Sequence, residues 1–291
     1  MKTLPKIETN SKVAVVGGGP AGSFFALYLL HYAQQRGIKP EVTIYQKVID
    51  EIGPKGCKGC AGILSMALLR NLRELGLTIP EEIIQSRIES YTVHSPHASI
   101  SLSNPEKEIQ ILSVYRGAGP RQSHFEHPVS FDGWLLREAQ KHGARVEIQT
   151  VSGISLGHKI TVEMAGKTLE YDLIVLATGI NSKPVPINGL NYVPPKKQVM
   201  AQDELLGGAT EIQSRLGNVA HAFLIPRSGL IFGTLVPKGQ FVNISVLSRR
   251  EHPVSVADFL KNLGITMLTG LLPWAMPQSP DFTKTALVPL C

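Results

Sequence analysis

The chain has 291 residues, of which 43% are hydrophobic and 18% charged, so it can build a packed core and carries too few charges for a disordered protein. Its net charge is +6, but the basic residues are scattered and no basic stripe is interleaved with aromatic residues, which argues against nucleic-acid binding. Three cysteines are too few for a disulfide framework and favour a reducing, cytoplasmic compartment.

The first element along the chain is a strand that runs directly into a glycine-rich turn and an apolar helix. Residues 13–22 read VAVVGGGPAG and place Gly17, Gly19 and Gly22 in the G-x-G-x-x-G spacing. The first glycine permits a tight turn, the second lets the backbone approach a pyrophosphate, and the third allows close packing of helix on strand. The exposed N–H groups and positive dipole end of the helix then bind the anion. The loop, including Pro20 and Ala21, is therefore predicted to bind a dinucleotide.

A second parallel strand is predicted over 42–45, and the residue at the tip of this strand normally contacts the adenosine ribose. That residue is Gln46, where most such sites have Asp or Glu, whose acceptor oxygens take both ribose hydroxyls. Glutamine offers one acceptor and one donor group, so we expect it to bind a ribose less well. Lys47 could instead contact a phosphate.

The remaining elements alternate between two kinds of pattern. Glycine-rich and helical stretches lead to strand-like runs at 145–149, 159–164 and 172–177, whereas alternation over 88–114 and three strands near 220–247 favour an antiparallel sheet. The chain is therefore predicted to be α/β, with a Rossmann-like parallel sheet interleaved with a second, antiparallel-sheet substrate domain. The predicted limits are 10–85 and 125–185 for the first domain, 86–124 and 186–265 for the second, and 266–291 for a C-terminal segment.

Three further motifs follow the glycine loop in order. Residues 60–65 (CAGILS) are similar to a Cys-Gly-Gly-Gly-Leu-Ser stretch, 131–135 (FDGWL) to a Phe-Asp-x-x-Leu helix, and 177–182 (ATGINS) to an Ala-Asp-Gly-x-x-Ser turn. Together they resemble the FAD-dependent oxidoreductases of the aromatic-hydroxylase fold, and most of all the geranylgeranyl-reductase-like branch, over about residues 10–250. The resemblance implies that the Rossmann-like domain binds FAD, with Thr178 and Gly179 near the glycine loop. It also implies that Cys60, as catalytic residue, and Gly62 lie near the flavin.

Several positions depart from that family pattern. Gln46 replaces the family's acid, Thr178 replaces the Asp of its Asp-Gly turn, and His127 and Pro128 stand where the family has an arginine. The run 229–238 lacks the family's tryptophan, and no Gly-Asp dipeptide occurs in the chain, although the family places one late to contact the ribityl phosphate of FAD. We therefore expect a truncated or incomplete member.

Cys57 and Cys60 form a C-x-x-C pair that allows three interpretations. A structural zinc would need a second ligand pair, so no metal site is predicted. A redox dithiol is possible because Lys55 and Lys58 would favour a thiolate. A single flavin-proximal Cys60 with Cys57 as a bystander is the interpretation that we favour. A nearby polar loop, 116–127, could face the active site or NADPH, although a solvated loop is the simpler interpretation.

The sequence thus predicts an FAD-dependent oxidoreductase that transfers hydride or electrons between flavin and an organic, isoprenoid or lipid-like substrate, with NAD(P)H as candidate electron donor. A flavin monooxygenase or halogenase of the same fold, and a non-catalytic remnant without cofactor, remain alternatives. Neither a signal peptide nor a transmembrane segment is predicted. The apolar run 265–276 favours a core helix and leaves peripheral membrane contact open.

Overall fold

The computed structural model describes residues 6–47, 60–103, 110–119, 129–180, 182–193, 196–226, 228–263 and 284–289. The chain divides into two units. The first contains the described residues of 1–53 and 131–195, and the second those of 54–130 and 196–291.

Strands account for most of the regular structure in these ranges. They are β1 Lys12–Val16, β2 Glu41–Tyr45, β3 Ile63–Leu64, β4 Ile84–Ile88, β5 Ser90–His94, β6 Ser99–Ser103, β7 Ile111–Val114, β8 Arg145–Glu147, β9 Val151–Leu156, β10 Ile160–Met164, β11 Lys167–Tyr171, β12 Leu173–Leu176, β13 Ile187–Asn188, β14 Lys197–Leu206, β15 Val219–Phe223, β16 Leu230–Lys238, β17 Phe241–Ser248 and β18 Lys284–Pro289. The helices are α1 Pro20–Gln35, α2 Met66–Glu74, α3 Phe131–Lys141, α4 Ala209–Leu216 and α5 Val256–Asn262, with a 3-10 turn at Glu81–Ile83. No helix in the described ranges is long and apolar enough to cross a bilayer.

The first unit is built on a parallel sheet with strand order β12-β1-β2-β8. β1 is fully buried after its first residue, as expected for a central strand of a parallel sheet. Helix α1 connects β1 to β2 and contacts α3. The crossover strand–loop–helix–strand that the glycine motif predicts is therefore present.

A second sheet in the same unit packs against the parallel one. Its order is β11-β10-β9-β13, antiparallel except where β13 joins β9. The shared core contains Val16 and Tyr45 from the parallel sheet and Val162 and Tyr171 from the second sheet. The Tyr45 and Tyr171 hydroxyls form a buried hydrogen bond within it.

The second unit is built on a seven-stranded sheet with the order β18-β14-β17-β16-β15-β5-β6. All its pairs are antiparallel except β5 with β15. Helices α4 and α5 cover one face, where Phe259 is almost completely buried. On the other face Ala61, Ile63 and Met66 pack against buried residues that include Val236. A small sheet, β3-β7-β4, holds that covering segment in place.

The predicted fold class is confirmed, whereas the two units do not coincide with the predicted domain limits. Residues 60–85, predicted to belong with the FAD-binding domain, group with the second unit because β3 and β4 both pair with β7. Residues 186–193 group with the first unit because β13 pairs with β9. The run 265–276 lies outside the described residues, as does most of the polar loop 116–127.

Candidate functional site

The glycine loop between β1 and α1 is shaped by close backbone contacts. Gly17 has φ +112°, and a Cβ there would lie 2.2 Å from the carbonyl oxygen of Ala177. A Cβ on Gly22 would lie 1.9 Å from the carbonyl oxygen of Gly17 and 3.0 Å from Val15 Cγ1. Two of the three glycines are thus required by packing within the protein itself.

Gly19 differs, because a Cβ placed on it would meet no atom within 4 Å. It is the N-cap of α1, has an extended backbone (φ −69°) and receives no side-chain cap, and the first turn contains no acidic residue. Pro20 follows at the first helical position, where its missing N–H is not needed. The N–H groups of Ala21 and Gly22 at this end of the helix have no intrahelical acceptor. The loop therefore offers an open, electropositive cradle of backbone N–H groups.

Gln46 lies at the tip of β2, as predicted, and makes a contact that the sequence does not reveal. Its Oε1 accepts a hydrogen bond from the Gly18 N–H at 2.8 Å. Gly18 is buried, and a Cβ on it would lie 3.0 Å from Leu136 Cδ1 and 3.3 Å from Gln46 Oε1. The acceptor oxygen predicted for a ribose is therefore used inside the glycine loop, and Lys47 beside it is exposed.

The turn after β12 lies directly beside the glycine loop. The Ala177 N–H donates to the Val16 carbonyl at 2.8 Å, which continues the pairing of β12 with β1. A Cβ on Gly17 would lie 3.0 Å from the backbone nitrogen of Thr178. Gly179 is exposed, and the Thr178 carbonyl accepts a hydrogen bond from Ser182. The structure thus brings the predicted 178–179 turn together with the glycine loop in one unit.

Cys60 and Gly62 lie in the second unit, where Cys60 is held from two sides. The Gln202 Nε2 donates to the Cys60 carbonyl at 2.7 Å, and the Arg116 Nη1 donates to the Cys60 Sγ at 3.6 Å. The Gly62 carbonyl accepts from the Val114 N–H at 2.8 Å. Backbone and thiol of this half-buried cysteine therefore both have defined partners.

Behind Gln202, a chain of buried polar groups extends across the seven-stranded sheet. The same Gln202 Nε2 donates to the Ser245 Oγ at 2.8 Å, and the Ser245 hydroxyl donates to the Asn243 Oδ1 at 2.9 Å. All three side chains are at most 3% exposed. The amide orientation of Gln202 is consequently fixed by two acceptors, one of them the Cys60 carbonyl.

A buried lysine anchors β7, the strand that precedes Arg116. Lys238 is completely buried, donates to the Val114 carbonyl and lies 4.6 Å from the centroid of the Tyr115 ring. The Ser113 hydroxyl donates to the Pro237 carbonyl at 2.9 Å. These contacts join β7 to β16, and Arg116 follows directly in the chain.

Several contacts near Cys60 and Arg116 could not be predicted from the sequence. Gln202 lies in a stretch with no motif, and the Pro237–Lys238 dipeptide is visible only as part of the 229–238 run. Cys57 lies outside the described residues, as do Lys55, Lys58 and His127, so the structure does not bear on a C-x-x-C pair. Within the part of the chain that the structure describes, no three histidine, cysteine or acidic side chains are grouped to hold a metal.

A parallel sheet with a glycine-loop cradle at the end of its first strand is the arrangement of dinucleotide-binding enzymes. The chain belongs to the pyridine nucleotide-disulphide oxidoreductase family, whose model matches residues 11–220. The resemblance to geranylgeranyl reductases is confirmed: the chain is 26% identical over 201 residues to the geranylgeranyl diphosphate reductase of Synechocystis. The match covers 62% of this chain and 42% of that relative, so the chain spans less than half of the relative's length.

Solved structures share the fold. A geranylgeranyl bacteriochlorophyll reductase-like protein of Thermoplasma acidophilum superposes with a TM-score of 0.64 at 17% identity, over 97% of this chain and 67% of the other. The flavin-dependent halogenase BrvH of Brevundimonas superposes with a TM-score of 0.63 at 12% identity, over 98% and 63%. One architecture thus serves a reductase-like protein and a halogenase, so the fold alone does not select a reaction.

Proposed function

We propose that this chain binds FAD at the glycine loop and acts as an oxidoreductase on an organic, apolar substrate of isoprenoid or lipid-like type. The observation that carries the proposal is the contrast within the loop: Gly17 and Gly22 are enforced by internal contacts, whereas Gly19 faces open space at an uncapped helix end. A structural turn has no need for that opening, but a pyrophosphate does. When bound, FAD supplies hydride or electron transfer, and the protein supplies position and electrostatics.

Each residue of the cradle has a role in this proposal. Gly19, Pro20 and Ala21 leave room and N–H donors for the pyrophosphate. Gln46 and Lys47 contact the adenosine end, and Thr178 and Gly179 line the loop on its other side. The described residues therefore fit the ADP half of the cofactor.

Cys60 is the proposed catalytic residue, beside the flavin. The contacts from Arg116 and Gln202 keep its thiol and its carbonyl in one arrangement. A cysteine held in this way presents the same atoms to every substrate molecule, as preorganised sites do.

The substrate is proposed to lie against the sheet around residues 230–246. The face of β14 that carries Gln202 also carries Met200, which pairs with Leu247, and Leu247 in turn pairs with Phe232. Paired residues share a sheet face, and Phe232 and Leu247 are half-buried. An apolar surface on the same face as the Cys60 contact supports an apolar substrate.

The cofactor proposal is tested by adding FAD to the purified chain and removing the excess. We expect retained yellow absorbance and quenched flavin fluorescence that saturates with added protein. A colourless protein with no saturable quenching, despite a folded circular dichroism spectrum, would favour the cofactor-free alternative.

The reaction proposal is tested with two matched cysteine variants. We expect Cys60→Ser to keep FAD binding and to lose substrate reduction, and Cys57→Ser to keep both. Full loss of activity in Cys57→Ser would instead support a redox dithiol.

NAD(P)H is the proposed electron donor, in a reducing, cytoplasmic compartment. Oxidation of NADPH that consumes oxygen and hydroxylates the substrate would identify a monooxygenase in place of a reductase. Oxygen uptake and product mass should therefore be followed together.

A further inference from the structure

Strand β6 (Ser99–Ser103) forms one edge of the seven-stranded sheet, and no strand of the described residues pairs with its outer side. The strand reads SISLS, contains neither proline nor a charged residue, and pairs with β5 without a bulge. Exposed sheet edges of monomeric proteins normally carry such features, because an unprotected edge pairs with a further strand. The edge at β6 is therefore open to strand addition.

The hydrogen bonds of the β5–β6 hairpin determine which backbone groups of β6 point outward. The Ser95 N–H donates to the Ala98 carbonyl at 2.8 Å, whereas the His94 carbonyl accepts from the Leu224 N–H on the other side of β5. Backbone groups alternate in direction along a strand, so every second residue of β6 points away from β5. The residues whose N–H and C=O groups point outward are Ser99, Ser101 and Ser103.

The side chains of β6 present one polar and one apolar face. On the polar face the Ser101 hydroxyl hydrogen-bonds to the Thr92 hydroxyl of β5 at 3.0 Å. On the opposite face lie Ile100, which is 63% exposed, and Leu102, which is 53% exposed. Outward backbone groups and two exposed apolar side chains therefore lie together along this edge.

We propose that two copies of this chain associate through antiparallel pairing of their β6 strands about a two-fold axis at Ser101. The sequence SISLS has nearly the same pattern in both directions, so this register sets Ile100 opposite Leu102 of the second copy. The three outward serines then form three hydrogen-bonded pairs with two backbone hydrogen bonds each. Because the contact is self-complementary, it closes to a dimer.

The expected strength of the dimer follows from its area and charge. Two five-residue strands overlap over about 17 Å, and the area that they bury is below the ~1,200 Å² of a stable dimer. We therefore expect a weak dimer, with a Kd above about 1 µM. Strands β5 and β6 contain no Lys, Arg, Asp or Glu, so no like charges meet at the contact, although each chain carries a net charge of +6. Salt screens this long-range repulsion and should strengthen the dimer.

Sedimentation velocity of the 291-residue chain, at loading concentrations from about 1 µM to about 1 mM, tests the association. We expect the sedimentation coefficient to rise with concentration, and to rise at lower concentration when salt is added. Ser101→Pro removes an outward N–H and no hydrogen bond to β5, and the double variant Ile100→Thr/Leu102→Thr removes the exposed apolar surface. Both variants should abolish the rise. Leu169→Thr, at a 41% exposed leucine on β11, which is an edge strand of the first unit, is the matched control and should behave as wild type.

Disulfide trapping tests the register, in a chain whose three native cysteines are replaced by serine. Facing residues of a hydrogen-bonded pair have Cα atoms about 5.5 Å apart, which is within disulfide range, so Ser101→Cys should form a covalent dimer under mild oxidation. Ser103→Cys should not, because the two copies of this residue are four positions, about 14 Å, apart along the paired strands.

Three outcomes would overturn the proposal. The first is a chain that stays monomeric at every concentration, and the second is self-association that the double threonine variant leaves unchanged, because another surface would then be responsible. The third is a Ser103→Cys chain that crosslinks as readily as Ser101→Cys, which would exclude the two-fold axis at Ser101. Circular dichroism checks that each variant is folded, and the double threonine variant decides the test if Ser101→Pro unfolds.

Discussion

Two glycines of the same loop should respond in opposite ways to the same substitution. Gly22→Ala places a Cβ 1.9 Å from the Gly17 carbonyl oxygen, deep inside van der Waals contact, and 3.0 Å from Val15 Cγ1. Both neighbours belong to the β1 segment, so α1 must move away from the sheet. Gly19→Ala adds the same methyl group where no atom lies within 4 Å.

The magnitudes follow from these distances. Overpacking of this kind costs about 1–3 kcal/mol, and the gain in helix propensity from Gly to Ala offsets at most about 1 kcal/mol, so Gly22→Ala is destabilising. At Gly19, φ is −69°, which alanine adopts without strain. Alanine lowers the conformational entropy of the unfolded chain, which stabilises the fold by about 0.4–1 kcal/mol, but it is a poorer N-cap than glycine. The two effects roughly cancel, so the free energy of unfolding should hardly change.

For FAD affinity the order should be the reverse: Gly19→Ala should weaken binding more than Gly22→Ala does, as long as both proteins are folded. The Gly19 methyl group would occupy the space proposed for the pyrophosphate, and an affinity loss of at least about tenfold is expected. Thermal unfolding and fluorescence titration of both variants at one pH provide the comparison. If Gly19→Ala binds FAD as tightly as wild type, the proposed pyrophosphate site at Gly19 is wrong. If it unfolds several degrees lower than wild type, the space around Gly19 is not open.

Three other regions give testable expectations. Tyr45→Phe and Tyr171→Phe should each lower the free energy of unfolding by about 1–2 kcal/mol, because each leaves the other buried hydroxyl unpaired, and the double variant should lose less than the sum of the two in a denaturant double-mutant cycle. Gly233→Ala would place a Cβ 2.2 Å from an aromatic ring of α5 and should lower the melting temperature, which differential scanning fluorimetry measures. Burial lowers the pKa of both His94 and His221, which hydrogen-bond to each other at 2.9 Å. Below the ordinary histidine pKa, protonation therefore favours the unfolded chain over the folded one. Melting temperature should therefore fall as the pH drops below about 6.5, and a profile flat down to pH 5 would contradict the desolvation argument.

The first βαβ unit was predictable because its signals are local. A buried strand, three glycines at fixed spacing and an apolar helix specify β1, the loop and α1 without help from distant residues. The strand over 197–206 is the opposite case. Its sequence, KQVMAQDELL, contains few β-branched residues, and β14 forms because β17 and β18 pair with it on both sides.

The position of Gln46 was likewise predictable, but its hydrogen-bond partner was not. Strand length and helix length place a residue at the tip of β2, and any dinucleotide-binding fold would share that placement. The direction of its amide depends on the Gly18 N–H, a group that every residue but proline carries and that no sequence pattern distinguishes. Single-residue roles of this kind need the structure because they depend on which of two polar atoms is already used.

The setting of Cys60 depends still more on distant residues. Gln202 donates to both the Cys60 carbonyl and the Ser245 hydroxyl, and the Ser245 hydroxyl donates in turn to Asn243. Removing the Gln202 amide would leave buried acceptors unpaired, at about 1–3 kcal/mol each, so the arrangement resists partial change. The sheet proposed to contact the substrate therefore also hydrogen-bonds to the backbone of the proposed catalytic cysteine. A substitution that displaces Gln202 on this sheet is expected to alter the position of Cys60.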